Sequence, residues 1–211
     1  MPRPGCSWSA RADWLAHYRI ERPDGSVVTL GDDRAWSIDN PQNEVHRRAD
    51  ALIARGIQNL DRVIVLGCGP GNFLTEALKA RNKSQVWGVD NSPFANSRGE
   101  VLGAGVILIN ADLAAGQSFN QALRDATGSN SFRWIITESV WESYDDADIV
   151  VGLNVCEGLR QGGTPMANII HLVYVPPFPA NPGVFNEKTM AQWKAMRPTH
   201  TWMNAEGYVV A

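Results

Sequence analysis

The apolar run Val63-Ile64-Val65-Leu66 passes without a spacer into Gly67-Cys68-Gly69-Pro70-Gly71, and this junction restricts the fold more than any other stretch. A short apolar run bounded by turn residues reads as a strand buried on both faces, the kind found in parallel sheets. Glycines then let the chain reverse into a helix. Without a Cβ they take positive φ freely and leave room for a ligand against the main chain. The spacing limits which ligand. A dinucleotide fingerprint, G-x-G-x-x-G, needs a glycine where the chain has Asn72, and the G-K-[ST] of a P-loop is absent.

Downstream the same alternation recurs. Gln85 to Val89 reads as a second strand ending at Asp90, and Val106 to Ile109 as a third, followed by Asn110-Ala111-Asp112. Phe132 to Thr137 is a fourth, leading to Glu138, and Asn168 to Val175 a fifth, ending at Pro176-Pro177. Helical spacing lies between them, at 72–81 with Phe73, Leu74, Ala77 and Leu78 on one face, at 117–126 and at 146–160. Strands alternating with helices predict an α/β fold with a doubly wound, mostly parallel sheet. Ahead of it, Asn40-Pro41 starts a helix whose Val45, Ala49, Leu52 and Ile53 recur until Gly56. Residues 1–40 read as an N-terminal arm and a hairpin, with Pro23-Asp24-Gly25-Ser26 turning between Tyr18–Arg22 and Val27–Leu30, and 41–211 as the α/β domain. Glu187 to Met196 is expected as a last helix, with Thr199–Met203 and Tyr208–Val210 as an antiparallel pair.

The run from Val63 to Phe73 closely resembles motif I of the class I S-adenosylmethionine-dependent methyltransferases: an apolar strand, an acid, one further residue and G-x-G-x-G. Val65 stands where that family has the acid. The resemblance extends from residue 41 to 176 and implies a Rossmann-like sheet, S-adenosylmethionine as cofactor and in-line methyl transfer to an acceptor heteroatom. It places Gly67, Cys68, Gly69 and Gly71 in the cofactor loop, and Asp90, with Asn91 beside it, on the ribose hydroxyls. Asp112 matches the adenine-amino contact, with Leu113 against the ring. Glu138 falls where the family has an Asp or Asn that positions the methionine end or the substrate. Glu138 and His171 are the candidates for taking a proton from an amine or hydroxyl acceptor.

These residues also have plainer readings. Asp90 and Asp112 suit helix caps, Glu138 and Glu142 a solvated face beside Trp141, and His171 a core imidazole satisfied within a central strand. Asp145-Asp146 suits either a metal-holding pair or acids at a helix start.

Composition narrows the partners. A net charge of -3 with scattered Lys and Arg gives no nucleic-acid footprint, so the acceptor is expected to be a small molecule or a protein. Cys6, Cys68 and Cys156 have neither disulfide arithmetic nor zinc spacing, and the histidines show no metal spacing; a reducing cytoplasm fits. No signal-like or membrane-length apolar run is evident. Eight tryptophans is a high count, and Trp8, Trp14, Trp193 and Trp202 lie outside the presumed cleft, either as core or as an interface for self-association. The competing reading, drawn from Val65 and these Trp-rich ends, is a non-catalytic assembly protein on the same fold, for example a virion component.

Overall fold

The computed structural model describes residues 19–21, 27–29, 44–68, 74, 78, 85–90, 107–111, 113, 116–138, 140–173, 175 and 188–204. A two-stranded ribbon pairs β1 (Arg19–Glu21) antiparallel with β2 (Val27–Thr29), as the hairpin reading expects; its turn lies outside the described residues. The main sheet contains β3 (Arg62–Leu66), β4 (Gln85–Asp90), β5 (Ile107–Asn110), β6 (Trp134–Glu138), β7 (Ile169–Val173) and β8 (Thr201–Asn204). Their order across the sheet is β5-β4-β3-β6-β7-β8, and every neighbouring pair is parallel.

Burial on both faces explains why these apolar runs become parallel strands. Along β3, Val63 and Val65 point to one side, where α1 (Glu44–Ala54) contributes Ala49 and Leu52, and the helical Leu74 and Leu78 join them. Ile64 and Leu66 point to the other, among Phe119 and Leu123 of α2 (Gln117–Thr127), Ile149 and Leu153 of α3 (Asp146–Gly158), and Trp193 of α4 (Met190–Met196). The sheet is thus doubly wound. Truncating a central residue such as Ile64 to Ala would cost about 2–5 kcal/mol.

Local chemistry fixes the helix ends. Asp145 caps α3 by accepting the Asp148 N–H at 2.9 Å, and Asp146 pairs with Lys188 at 2.7 Å, so this acidic pair acts at a helix start. Thr189 and Gln192 form a reciprocal capping box on α4. Gly128 ends α2 in the left-handed region at φ 71°.

At the C-terminal side Thr201–Asn204 pairs parallel with β7, and the expected antiparallel pairing with 208–210 lies outside the described residues. After β7, α4 returns the chain to the end from which the other strands start, so β8 runs in their direction. Trp193 and Trp202 are core residues stacked at 5.7 Å and 16°, not an interface; Trp8 and Trp14 lie outside the described residues.

The sequential β3, β4 and β5 spread to one side of β3, and β6, β7 and β8 to the other. The order therefore reverses between β3 and β6, and a sheet of this kind opens its ligand crevice at the carboxyl ends of those strands.

Candidate functional site

Leu66 is the last residue of β3, and Gly67 turns the chain at φ 74°. The N–H groups of Gly67 and Cys68 both donate to the Val89 carbonyl, at 2.7 and 3.0 Å, which ties the start of the loop to β4 one residue before Asp90. Gly67 is required twice over. Its backbone occupies the region glycine favours, and a Cβ there would lie 2.0 Å from Val140 Cγ2. Asp90 closes β4 opposite Asn110 of β5, and its carbonyl accepts the Ala111 N–H at 3.0 Å.

Glu138 closes β6 on the other side of the switch point. Its Oε1 accepts a hydrogen bond from Arg48 Nη1 at 2.5 Å, and the Arg48 side chain is only 1% exposed against 11% for Glu138. This pair joins α1 to the carboxyl end of β6 across 90 residues. A guanidinium cannot shed its charge, so its burial demands an acceptor of this kind. The buried Cys68 thiol is pushed well above its ordinary value by burial first, then by the charges of Asp90 and Glu138. It therefore stays a neutral thiol and contributes packing rather than nucleophilic chemistry.

Sequence reasoning missed Arg48. A signal was present: Arg48 lies four residues before Leu52, on the stripe that α1 buries. Glu142, on the 3₁₀ turn Trp141–Ser143, is 2% exposed, so the solvated-face reading of Glu138 and Glu142 does not hold. Trp141 is core: its ring lies against Gly152 of α3, where an added Cβ would come within 2.6 Å. Leu113 is buried beside the same glycine.

His171 sits in β7 opposite Thr137, and both its nitrogens are engaged inside the protein. Nδ1 is 2.9 Å from Thr137 Oγ1 and accepts the Trp141 indole N–H at 3.0 Å; Nε2 is 2.9 Å from His200 Nδ1. Full burial and two engaged nitrogens are the surroundings of a core imidazole. Gly69, Gly71, Asn91 and Asp112 lie outside the described residues. The structure thus brings together Gly67, Cys68, Asp90 and Glu138, and keeps His171 behind them.

The sequence matches no protein-family model. No curated protein matches it. Among solved structures it resembles the magnesium protoporphyrin IX methyltransferase of Synechocystis PCC 6803 with bound S-adenosylhomocysteine, at 18% identity over 74% of this chain and 69% of that one, TM-score 0.52. The same enzyme with bound S-adenosylmethionine gives 18% identity, 74% and 65% coverage and TM-score 0.51. A complex of the Haloferax volcanii Trm112 methyltransferase activator with a methyltransferase gives 14% identity, 79% and 71% coverage and TM-score 0.54. The chain spans 65% to 71% of the length of these proteins. Identities this low speak for architecture, and with the strand order above they show that the chain has the Rossmann-like α/β fold of the class I methyltransferases.

Proposed function

We propose that the chain is an S-adenosylmethionine-dependent methyltransferase whose cofactor lies across the carboxyl ends of β3 and β4. The observation that carries this reading is the placement of Asp90 at the end of β4, beside a glycine turn that two hydrogen bonds tie to the same strand. The donor set fits. Asp90 would accept the ribose hydroxyls, each such bond to a charged acceptor contributing about 1.5–3 kcal/mol. Gly69, Gly71, Asn91, Asp112 and Leu113 complete the proposed cofactor set on the motif resemblance. Arg48 holds one oxygen of Glu138, and the other is the acceptor we assign to the methionine end or to an acceptor's N–H or O–H.

When bound, the cofactor supplies a sulfonium methyl for in-line displacement. The chain's own part is alignment and removal of water from the attacking heteroatom. Glu138 is the one described residue we propose for moving a proton. The net charge of -3 favours a small-molecule or protein acceptor over nucleic acid. A protein partner is a further proposal, supported by the activator complex among the structural neighbours. No helix among the described residues is long and apolar enough to cross a membrane.

The test is a melting curve. At a hundred times the dissociation constant, a ligand specific for the folded state stabilises it by about 2.7 kcal/mol. S-adenosylmethionine or S-adenosylhomocysteine at millimolar concentration is expected to raise the melting temperature, and NAD to leave it unchanged. A flat response to all three favours a second reading, a non-catalytic protein on this fold. One observation supports that alternative: Val65 is fully buried among apolar side chains where the family has its acid.

A further inference from the structure

Behind the crevice, a line of polar side chains crosses from β6 to α4: Thr137 and Trp141, then His171, then His200, then Glu157 of α3 with Arg197. Its proton arrangement follows from one group. An indole N–H only donates, so His171 Nδ1, which accepts it, carries no proton. The His171 proton is therefore on Nε2 and is donated to His200 Nδ1, which must be bare in turn. The His200 proton is then on Nε2, 3.3 Å from Glu157 Oε1 but off the line of a hydrogen bond. Neither ring accepts a second proton without setting two N–H donors against each other.

We propose that this His171–His200 pair is an acid-sensitive latch that holds α4 and β8 against β7 and loosens them when either ring is protonated. The geometry makes the pair the junction of that segment. His200 precedes β8, His171 lies on the strand that β8 pairs with, and Trp202 packs on His171 at 4.2 Å while stacking on Trp193 of α4. The charged groups facing His200 are Glu157 of α3, which favours the cation, and Arg197 after α4, which opposes it and itself donates to Glu157 at 3.0 Å. Facing His171 are His200 and the neutral Thr137 and Trp141. Burial lowers the proton affinity of both rings, most strongly for His171, with the neighbouring His200 adding to it. The sign follows. A histidine held neutral when closed and ordinary when open leaves the latch fully closed above its ordinary value of 6.5. Closure weakens as pH falls through and below that value, by up to tenfold in the opening constant per pH unit for each ring.

Hydrogen exchange on the full chain tests this, with rates corrected for intrinsic chemistry between pH 7.5 and 5. Protection of the β8 amides is expected to fall on acidification by at least tenfold more than that of the β3 amides. Equal losses in β3 and β8, or an unchanged β8, overturn the latch. His200→Asn keeps a neutral acceptor for His171 and is expected to reduce the excess loss in β8; an unaltered pH dependence in that variant overturns the assignment. Should the variant not fold, imidazole nitrogen NMR on the wild-type chain decides. Both rings are expected in the Nε2–H form at pH 7.5, ionising only as β8 opens. A ring in the Nδ1–H form, or one that ionises while β8 stays protected, overturns the proposal.

Discussion

Two buried polar clusters flank β6, and they treat ionisable side chains in opposite ways. At the crevice, Arg48 and Glu138 face each other as full charges at 2.5 Å, with the guanidinium almost wholly out of water. Behind β6 and β7, the imidazoles of His171 and His200 are equally enclosed but held neutral by one consistent set of donors. The difference lies in what each side chain is able to give up. Arginine keeps its proton at any working pH, so the fold must bring it an acceptor. Histidine sheds its charge on burial, so the fold need only match its tautomer. Charge is retained where a ligand is proposed to bind, and kept off the two imidazole rings at the proposed latch.

The sharpest way to break this comparison is to remove one member of the charged pair. Arg48→Met leaves the Glu138 carboxylate without its cation and is expected to cost about 3 kcal/mol, at the low end for a buried pair because Glu138 is 11% exposed. Adding Glu138→Leu should recover most of that loss, since two apolar groups need no partners. Urea unfolding of the single and double variants measures both. A loss below about 0.5 kcal/mol in Arg48→Met would mean that the pair behaves like a solvent-screened surface contact and that the contrast with the histidines is false.

Next in size are two glycines, one on each side. Gly67→Val places a β-branched residue at φ 74° with its Cβ 2.0 Å from Val140 Cγ2. Strain alone contributes about 1–3 kcal/mol. Val140→Ala in the same chain should relieve the clash and leave the strain, a split that thermal denaturation reads directly. Gly152→Ala acts on the histidine side, where the added methyl meets the Trp141 ring at 2.6 Å. Overpacking of this kind costs about 1–3 kcal/mol, and because the Trp141 indole fixes the His171 tautomer, the imidazole resonances should shift with it. Unmoved imidazole signals in a folded Gly152→Ala would separate Trp141 from the histidine chain.

How much of this was legible in the sequence depends on how local each signal is. β3, β6 and β7 are apolar runs closed by turn residues or polar ends, and their burial on both faces makes composition alone diagnostic. Asp90 and Glu138 stand at the strand ends that the apolar runs predict, because a strand end fixes where a residue must lie, whatever its neighbours. The pairing of Glu138 with Arg48 was not legible, since nothing local selects a partner 90 residues away, although a charge on the buried stripe of α1 announced that some partner must exist. His171 and His200 are 29 residues apart, and no spacing rule links a strand interior to the residue before another strand. The pairing of β8 with β7 was not legible for the same reason: it joins strands about 30 residues apart through a crossover that contains α4.

The smallest expected effect on stability belongs to the residue on which the functional reading rests most heavily. Asp90 is half-buried at a strand end, and Asp90→Ala retains the Val89 and Asp90 carbonyls that accept from the glycine turn and from Ala111. The ligand-free variant is expected to lose about 1 kcal/mol, the ordinary cost of a single substitution and less than the charged-pair and glycine variants lose. Binding should behave differently. Loss of two charge-assisted hydrogen bonds to a ribose, at about 1.5–3 kcal/mol each, amounts to a hundredfold weakening or more. Calorimetric titration with S-adenosylhomocysteine separates the two quantities. A variant that is stable and does not bind supports the cofactor site; one that binds as the parent does shows that the aspartate serves the strand end alone and that the crevice holds its ligand elsewhere. Val65→Asp completes the argument from the opposite side. It restores the family's acid at a fully buried position, so it should tighten binding only if the carboxylate finds partners there, and otherwise it loses stability through burial of an unpaired charge.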